Sequence, residues 1–303
     1  MSATIKIANA PCSWGALEFE LEGKSLGYTQ VLDEMQETGY AGTELGDWGF
    51  MPTDPAALKA VIAQRSFDLL GAFVPVALSQ AEAHTAGIEQ ALKTAKLMHD
   101  AGFSQAFIVL ADENGSVYDR TNNAGRITPD AALSTAAMEV FAAGANAVAK
   151  AVKETYGMRT VFHHHCAGYI ETPAEINLLM EMTDPDLLGL CFDTGHFSFG
   201  GGTNHVAFMQ QHKSRIWHVH FKDFSPTVAA AAAANQWNYF QSVANGVFCE
   251  LGKGNVDFAA VKQLLLDWEY NGWIVVEQDV LPGMGNPKQC AENNRKYLHQ
   301  IGL

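Results

Sequence analysis

An α/β fold closed into a single (β/α)8 TIM barrel is what the sequence predicts, and three observations predict it. Eight strand-like runs recur along the chain, each followed by a helical stretch, and this strict alternation argues for parallel pairing. No two long strand runs are joined by a tight Asn-Gly type turn, which sets antiparallel hairpins aside. With 303 residues, 48% of them hydrophobic, the chain can bury one barrel-sized core, and no Pro- or Ser-rich linker divides it. A doubly wound open sheet is the competing fold, but no GxGxxG follows the first strand.

The first strand is residues 5–8 (IKIA), followed by the turn-forming loop NAPCSWG around Trp14. Residues 28–37 have helical periodicity, and Gly39 stops them. The second strand, 40–45, carries Glu44 near its end, and Asp54 with Pro55 caps the next helix through Leu58 and Ile62. Residues 69–76 form the third strand. An alanine-rich helix over about 79–101 leads through Gly102 to the strand 106–110, after which Ala111, Asp112 and Glu113 open a polar loop. A long helix over about 129–155 delivers the chain to the strand 159–162 (RTVF), which ends in three consecutive histidines. Thr172, Pro173 and Glu175 form a capping box that starts a helix ending near Thr183. The apolar run from Leu187 ends at Asp193, and Thr194 and Gly195 turn the chain towards His196. A short helix near 207–212 precedes the strand 216–221 (IWHVHF). Residues 224–255, with six consecutive alanines at 229–234 and the aromatic segment WNYFQ, read as a partly helical, lid-like insertion. A helix over about 256–268, the strand 273–276 ending at Glu277, and a last helix over about 286–299 complete the pattern.

A formal net charge of −14 repels phosphate backbones and anionic membrane surfaces, so neither nucleic acid nor membrane is an expected partner. No apolar run approaches the roughly 20 residues that span a bilayer, and the N-terminus lacks the basic flank and apolar stretch of a signal peptide. A cytoplasmic protein is therefore expected. Cysteines at 12, 166, 191, 249 and 290 contain no CxxC pair, as expected of free thiols in a reducing compartment.

In a parallel barrel the C-terminal strand ends converge on one axis, and chemistry is done there. Strand ends five to eight carry ligand-type side chains: His163 to His165, Asp193 with His196, His218 with His220, and Glu277. Imidazole nitrogens and carboxylate oxygens together suit a divalent first-row cation. Strand alternation sends His163 and His165 inward and His164 away, and puts His218 and His220 on one face with His218 a layer deeper. Plainer roles compete: Asp193 can cap the next helix, Glu277 can pair with a loop lysine, and Gln278 or Asp279 can take its place. Lys222 can polarise a carbonyl or exchange a proton, or simply pair with Asp223. Glu44, Asp112 and Glu113 lie at other strand ends and could bind substrate hydroxyls; Trp14, Trp48 and Phe50 could wall a ring.

NAPCSWG, GTELGDWGF, the histidine-rich fifth strand end, FDTGH, HVHFKD and GWIVVE together resemble the xylose-isomerase-like barrel superfamily of sugar isomerases and epimerases, from residue 5 to the C-terminus. Within it they look most like the myo-inosose-2 dehydratases of inositol catabolism, which remove water from 2-keto-myo-inositol (scyllo-inosose). The resemblance implies a divalent metal held by His163, Asp193, His220 and Glu277, with histidine at 163 where most of the superfamily has glutamate. It implies manganese or cobalt, with zinc, iron or magnesium as alternatives, and a polyol ketone or sugar as the small-molecule partner. Dehydration through an enediolate needs an acid and a base, for which Lys222, His165 and His196 are the candidates; Glu44, Trp14 and Asp112 are the candidates for binding substrate. The segments CAG after the third histidine and VVEQDVLPG after the last strand depart from the dehydratase pattern, so a metal-dependent sugar isomerase or epimerase is the alternative. A homo-oligomer is a further expectation.

Overall fold

The structure, a computed structural model, describes residues 4–15 and 26–303. Its strands are β1 (Lys6–Asn9), β2 (Gly42–Thr43), β3 (Asp68–Leu69 and Gly71–Val76), β4 (Phe107–Asp112), β5 (Arg159–His163), β6 (Leu188–Asp193), β7 (Ile216–Phe221) and β8 (Trp273–Val276). All pair in parallel, in the order β2, β1, β8, β7, β6, β5, β4, flanked by the two halves of β3. Asp68–Leu69 pairs with β2 and Gly71–Val76 with β4, with Leu70 joining the halves, so the sheet closes on itself. This is the expected barrel.

Helices cover the outer face, where Val, Leu, Ile and Met side chains form one continuous core with the outward residues of the strands. Each such side chain, fully buried, contributes about 1.5–3 kcal/mol, which is what holds the ring of helices to the sheet. The helix ends follow the local chemistry. Ser134 caps Thr135–Tyr156, which stops at a left-handed Gly157, and Thr172 with Glu175 makes the reciprocal capping box of Pro173–Met182.

Three local differences from the sequence reading have clear causes. The long helix begins at Thr135, not near 129, because Pro129–Ala131 forms a separate 3-10 turn and Ser134 then supplies the cap. Asp112 ends β4 instead of opening a loop, since the pairing with β3 runs on to Val76. Thr194 and Gly195 do not merely turn the chain: they open the helix Thr194–Phe199, whose cap is Asp193. In the 224–255 insertion the helices Pro226–Asn235 and Tyr239–Ala244 are joined at the base by a short antiparallel ladder, Asp223–Phe224 with Phe248–Cys249, that sequence patterning missed. Among the described residues, no helix is long and apolar enough to cross a membrane.

Candidate active site

The C-terminal ends of β5 to β8 bring four side chains together. His163 and Asp193 are the last residues of β5 and β6, His220 is the last but one of β7, and Glu277 directly follows β8. The strand register places Asp193 opposite His220, and His220 opposite Val275, two residues before Glu277. One donor atom from each of the four lies within 4.8 Å of the others. His163 Nε2 is 3.7 Å and His220 Nδ1 3.9 Å from Asp193 Oδ2, and His220 Nδ1 is 3.2 Å from Glu277 Oε1.

The donor atoms have little else to do. Asp193 Oδ2, His163 Nε2 and His220 Nδ1 are buried without a hydrogen-bond partner, although each such loss costs on the order of 1–3 kcal/mol. Asp193 divides its labour: Oδ1 accepts the His196 N–H at 2.7 Å to cap the helix, and Oδ2 faces the cluster. Two imidazole nitrogens and two carboxylates form a donor set that fits a divalent cation. Electrostatics agree. Burial opposes charge on His220, yet the carboxylates of Glu277 and Glu44 hold its pKa well above the ordinary imidazole value, and a spot that attracts a proton attracts a cation for the same reason. Burial would raise Glu277, but His220 and Lys222 hold it well below the usual carboxylate range.

Glu44 supports this cluster from across the barrel. Its Oε1 accepts from His218 Nε2 at 2.7 Å and from His220 Nε2 at 2.9 Å, which fixes both rings and leaves His220 Nδ1 turned to the centre. Burial alone would raise its pKa, yet the charge of His220 and the two imidazole hydrogen bonds keep it at about 2. His164 points away from the cluster, as alternation required, and its Nε2 accepts the backbone N–H of Asp193.

Above the cluster a cavity is lined by Cys12, Phe73, His165, Lys222, Tyr239 and Asp279, with His163, His220, Glu44 and Glu277 in its floor. Lys222 is fully buried. Its Nζ lies 3.2 Å from Glu277 Oε2, 3.1 Å from Asp279 Oδ2 and 4.7 Å from the centre of the Phe248 ring. Burial would lower its pKa, but Asp279, Glu277 and Asp193 hold it well above the ordinary lysine value, so it carries its proton at neutral pH. Its partners are therefore not Asp223, whose carboxylate instead accepts the backbone N–H groups of Phe224, Gly252, Gly254 and Val256. His165 Nδ1 lies 2.6 Å from the Cys166 carbonyl, so Nδ1 carries the proton and Nε2 is left 3.4 Å from the Tyr239 hydroxyl; burial pushes its pKa down to about 3.

Other expected site residues are placed differently. His196 does not line the cavity but stands behind it, its ring centre 3.8 Å from that of His165 and its Nε2 3.4 Å from Lys222 Nζ. Trp14 turns outward, where its indole N–H donates to Glu34 Oε2 at 2.7 Å, so it does not wall the cavity. Asp112 accepts the Tyr169 N–H at 2.8 Å and secures the loop after β5, away from the cavity. Glu44 does line it, but is engaged by two imidazoles. Glu113 is exposed and Trp48 stacks under Lys93. The cavity walls passed over in the sequence are Phe73, Asp47 and Tyr239, while Cys12, beside a strand-end loop, was left as a core residue; Phe73 had a readable signal as an inward position of β3, and Tyr239 was visible merely as part of WNYFQ.

Comparison with known proteins places these features in context. Residues 28–300 match the model of the family described as xylose isomerase-like TIM barrel. An inosose dehydratase from Geobacillus kaustophilus (strain HTA426) is 32% identical over 302 residues, covering 98% of this chain and 94% of the relative. The inosose dehydratase of Salmonella typhimurium (strain LT2) is 30% identical over 307 residues, covering 98% and 96%. Among solved structures, D-psicose 3-epimerase with D-tagatose from Clostridium cellulolyticum H10 superposes with a TM-score of 0.69 at 15% identity, covering 98% of this chain and 99% of that one, a likeness of fold.

Proposed function

The chain belongs to the family of xylose isomerase-like TIM barrels, and on that premise we propose that it is a metal-dependent hydro-lyase that removes water from 2-keto-myo-inositol (scyllo-inosose) or a similar polyol ketone. The observation that carries the reading is the set of buried, unpartnered donor atoms on His163, Asp193 and His220, of which the two histidines lie in the floor of a cavity that also holds a charged lysine. A divalent cation held by His163, Asp193, His220 and Glu277, manganese or cobalt before zinc, iron or magnesium, would polarise the substrate carbonyl and stabilise the enediolate.

The chain's own groups divide the proton work. His165 Nε2 is the acceptor for the proton next to the carbonyl, because Cys166 O holds the other ring nitrogen protonated and the ring lines the cavity. Lys222 Nζ, kept charged by Glu277 and Asp279, is the donor to the departing hydroxyl. His196 positions both, backing the His165 ring and touching Lys222 Nζ. The 224–255 insertion serves as a lid: it contributes Tyr239 to the cavity wall and keeps water from the reacting face.

The test is incubation of chelator-treated protein with scyllo-inosose, with and without added Mn2+ or Co2+, following enone or dione absorbance and product mass. Absorbance growth only with metal, with loss of one water from the substrate mass, is the expected result. Turnover that survives exhaustive chelation would contradict the metal assignment, and a product of unchanged mass would make the protein an isomerase or epimerase working through the same enediolate.

A further inference from the structure

One thiol lies against the histidines of the centre, one layer below the carboxylates. Cys191 is on β6, two residues before Asp193, and so faces the same side of the strand. Its register partner on β5 is His163. It is a free cysteine with no exposure, and one donor atom each from His163, Cys191 and His220 lie within 4.8 Å of one another. Both ring nitrogens of His163 and Nδ1 of His220 are buried without a hydrogen-bond partner, so the two imidazoles can serve either layer.

We propose that the centre has a second coordination mode, in which thiophilic cations such as Zn2+ and Cd2+ are held by His163, Cys191 and His220. The proposal rests on the preceding assignment of His163 and His220 as cation-binding histidines. The chemistry is ligand softness: a thiolate prefers Zn2+ or Cd2+, whereas Mn2+ and Mg2+ prefer the oxygens of Asp193 and Glu277 above. Zn–S and Zn–N bonds of about 2.3 and 2.0 Å put tetrahedral donor atoms roughly 3.5 Å apart, so side-chain shifts of about 1 Å close the site. Binding exchanges one proton for the cation: the S–H bond breaks, the proton leaves to water, and the sulfur lone pair bonds the metal with no change of oxidation state. A cation seated there is drawn away from Lys222 and His165, which line the cavity above, and it occupies the same histidines that an oxygen-held ion would need. Thiophilic cations are therefore competitive poisons of the Mn2+ form.

The test is titration of the metal-free protein with Cd2+, watching for the intense ultraviolet sulfur-to-cadmium charge-transfer band, and with Mn2+ by calorimetry. The wild type and Cys166→Ser should show the band, while Cys191→Ser and the apolar Cys191→Ala should not. Cys191→Ala should weaken Cd2+ binding by about tenfold or more and leave Mn2+ affinity within about twofold. A wild type without the band, a band that persists in Cys191→Ala, or equal losses of Cd2+ and Mn2+ affinity would overturn the proposal. Failure of Mn2+ to bind the wild type while the band appears would sink only the oxygen-held centre, and Mn2+ binding without the band would sink only the thiol mode.

Discussion

Replacing Glu44 by Gln is the sharpest probe of how the centre is supported. The substitution keeps a side chain of the same length and an acceptor oxygen but removes the charge that binds His218 at 2.7 Å and His220 at 2.9 Å. Hydrogen bonds to a charged group contribute about 1.5–3 kcal/mol and neutral ones about 0.5–1.5, so the pair loses about 2 kcal/mol, less the relief of burying an amide in place of a carboxylate. The loss appears as cation affinity, because His220 Nδ1 is aimed by what holds Nε2. Removing the outer partner of a ligating histidine typically weakens binding by about 10- to 100-fold, or roughly 1.4–2.8 kcal/mol, which agrees with the bond count. Calorimetric titration of Mn2+ into the metal-free wild type and variant measures this directly. At saturating Mn2+ the variant should recover most of its kcat, since Glu44 reaches the imidazoles and not the reacting atoms. Mn2+ affinity within about twofold of the wild type would refute the reasoning, and so would an equal loss of kcat at saturating metal, because either result would detach Glu44 from the orientation of His220.

Three further outcomes follow from the structure. Asp193→Ser keeps a hydroxyl cap on the helix Thr194–Phe199 but removes the oxygen facing the cluster, so thermal stability should change by less than about 1 kcal/mol while Mn2+ binding and turnover are lost; retained Mn2+ binding would remove Asp193 from the centre. Arg120 makes a buried two-pronged pair with Glu175, at 2.8 and 2.9 Å, and Arg120→Met strands that carboxylate at a cost of about 3–5 kcal/mol; a fall in Tm of less than about 3 °C would argue against it. Glu171 is buried, and burial, only partly offset by the Gly125 and Ala167 N–H groups and the Arg120 charge, raises its pKa from 4.5 to about 7. The folded chain thus holds this proton more tightly than the unfolded chain, so its contribution to stability is complete below pH 4.5 and is lost as pH rises from 4.5 to 7, by roughly 3 kcal/mol. Urea unfolding at pH 5 and pH 8 should show that decline in the wild type and a flatter dependence in Glu171→Gln; identical slopes would exclude Glu171 as its source.

The parts of the fold that were legible are those where one local cause dominates. The helix Tyr28–Glu37 has its apolar stripe of Val31, Leu32 and Met35 and stops before Gly39, and both ends were read to the residue. The strands Ile216–Phe221 and Trp273–Val276 were read as fully, because β-branched and aromatic runs between turn formers leave no competing helical period. The long helix was placed six residues early because the apolar pattern continues through 129–134, while its boundary is set by a proline turn and a serine cap. Strand alternation also placed the facing of the three histidines, since it depends only on parity from the end of β5.

Roles were harder to read than facing, because a role depends on what lies across the barrel. Glu44 looked like a substrate ligand at an isolated strand end; its imidazole partners are 174 and 176 residues away in sequence and meet it only once the sheet closes. Trp14 looked like a cavity wall, yet a buried indole N–H needs an acceptor, and Glu34 on the following helix offers one on the outer side. Asp112 illustrates the same competition. The loop after β5 carries Ala167 and Ile170 in left-handed conformations, and a carboxylate accepting the Tyr169 N–H helps hold that shape, leaving its Oδ2 engaged where a free acid was expected. Asp193 shows that the two kinds of role need not exclude each other: the cap that sequence reasoning offered as the plain alternative uses one oxygen, and the same constraint aims the other at the histidines. A helix cap at a strand's end is therefore not evidence against chemistry there, because fixing one carboxylate oxygen is the cheapest way to point its twin.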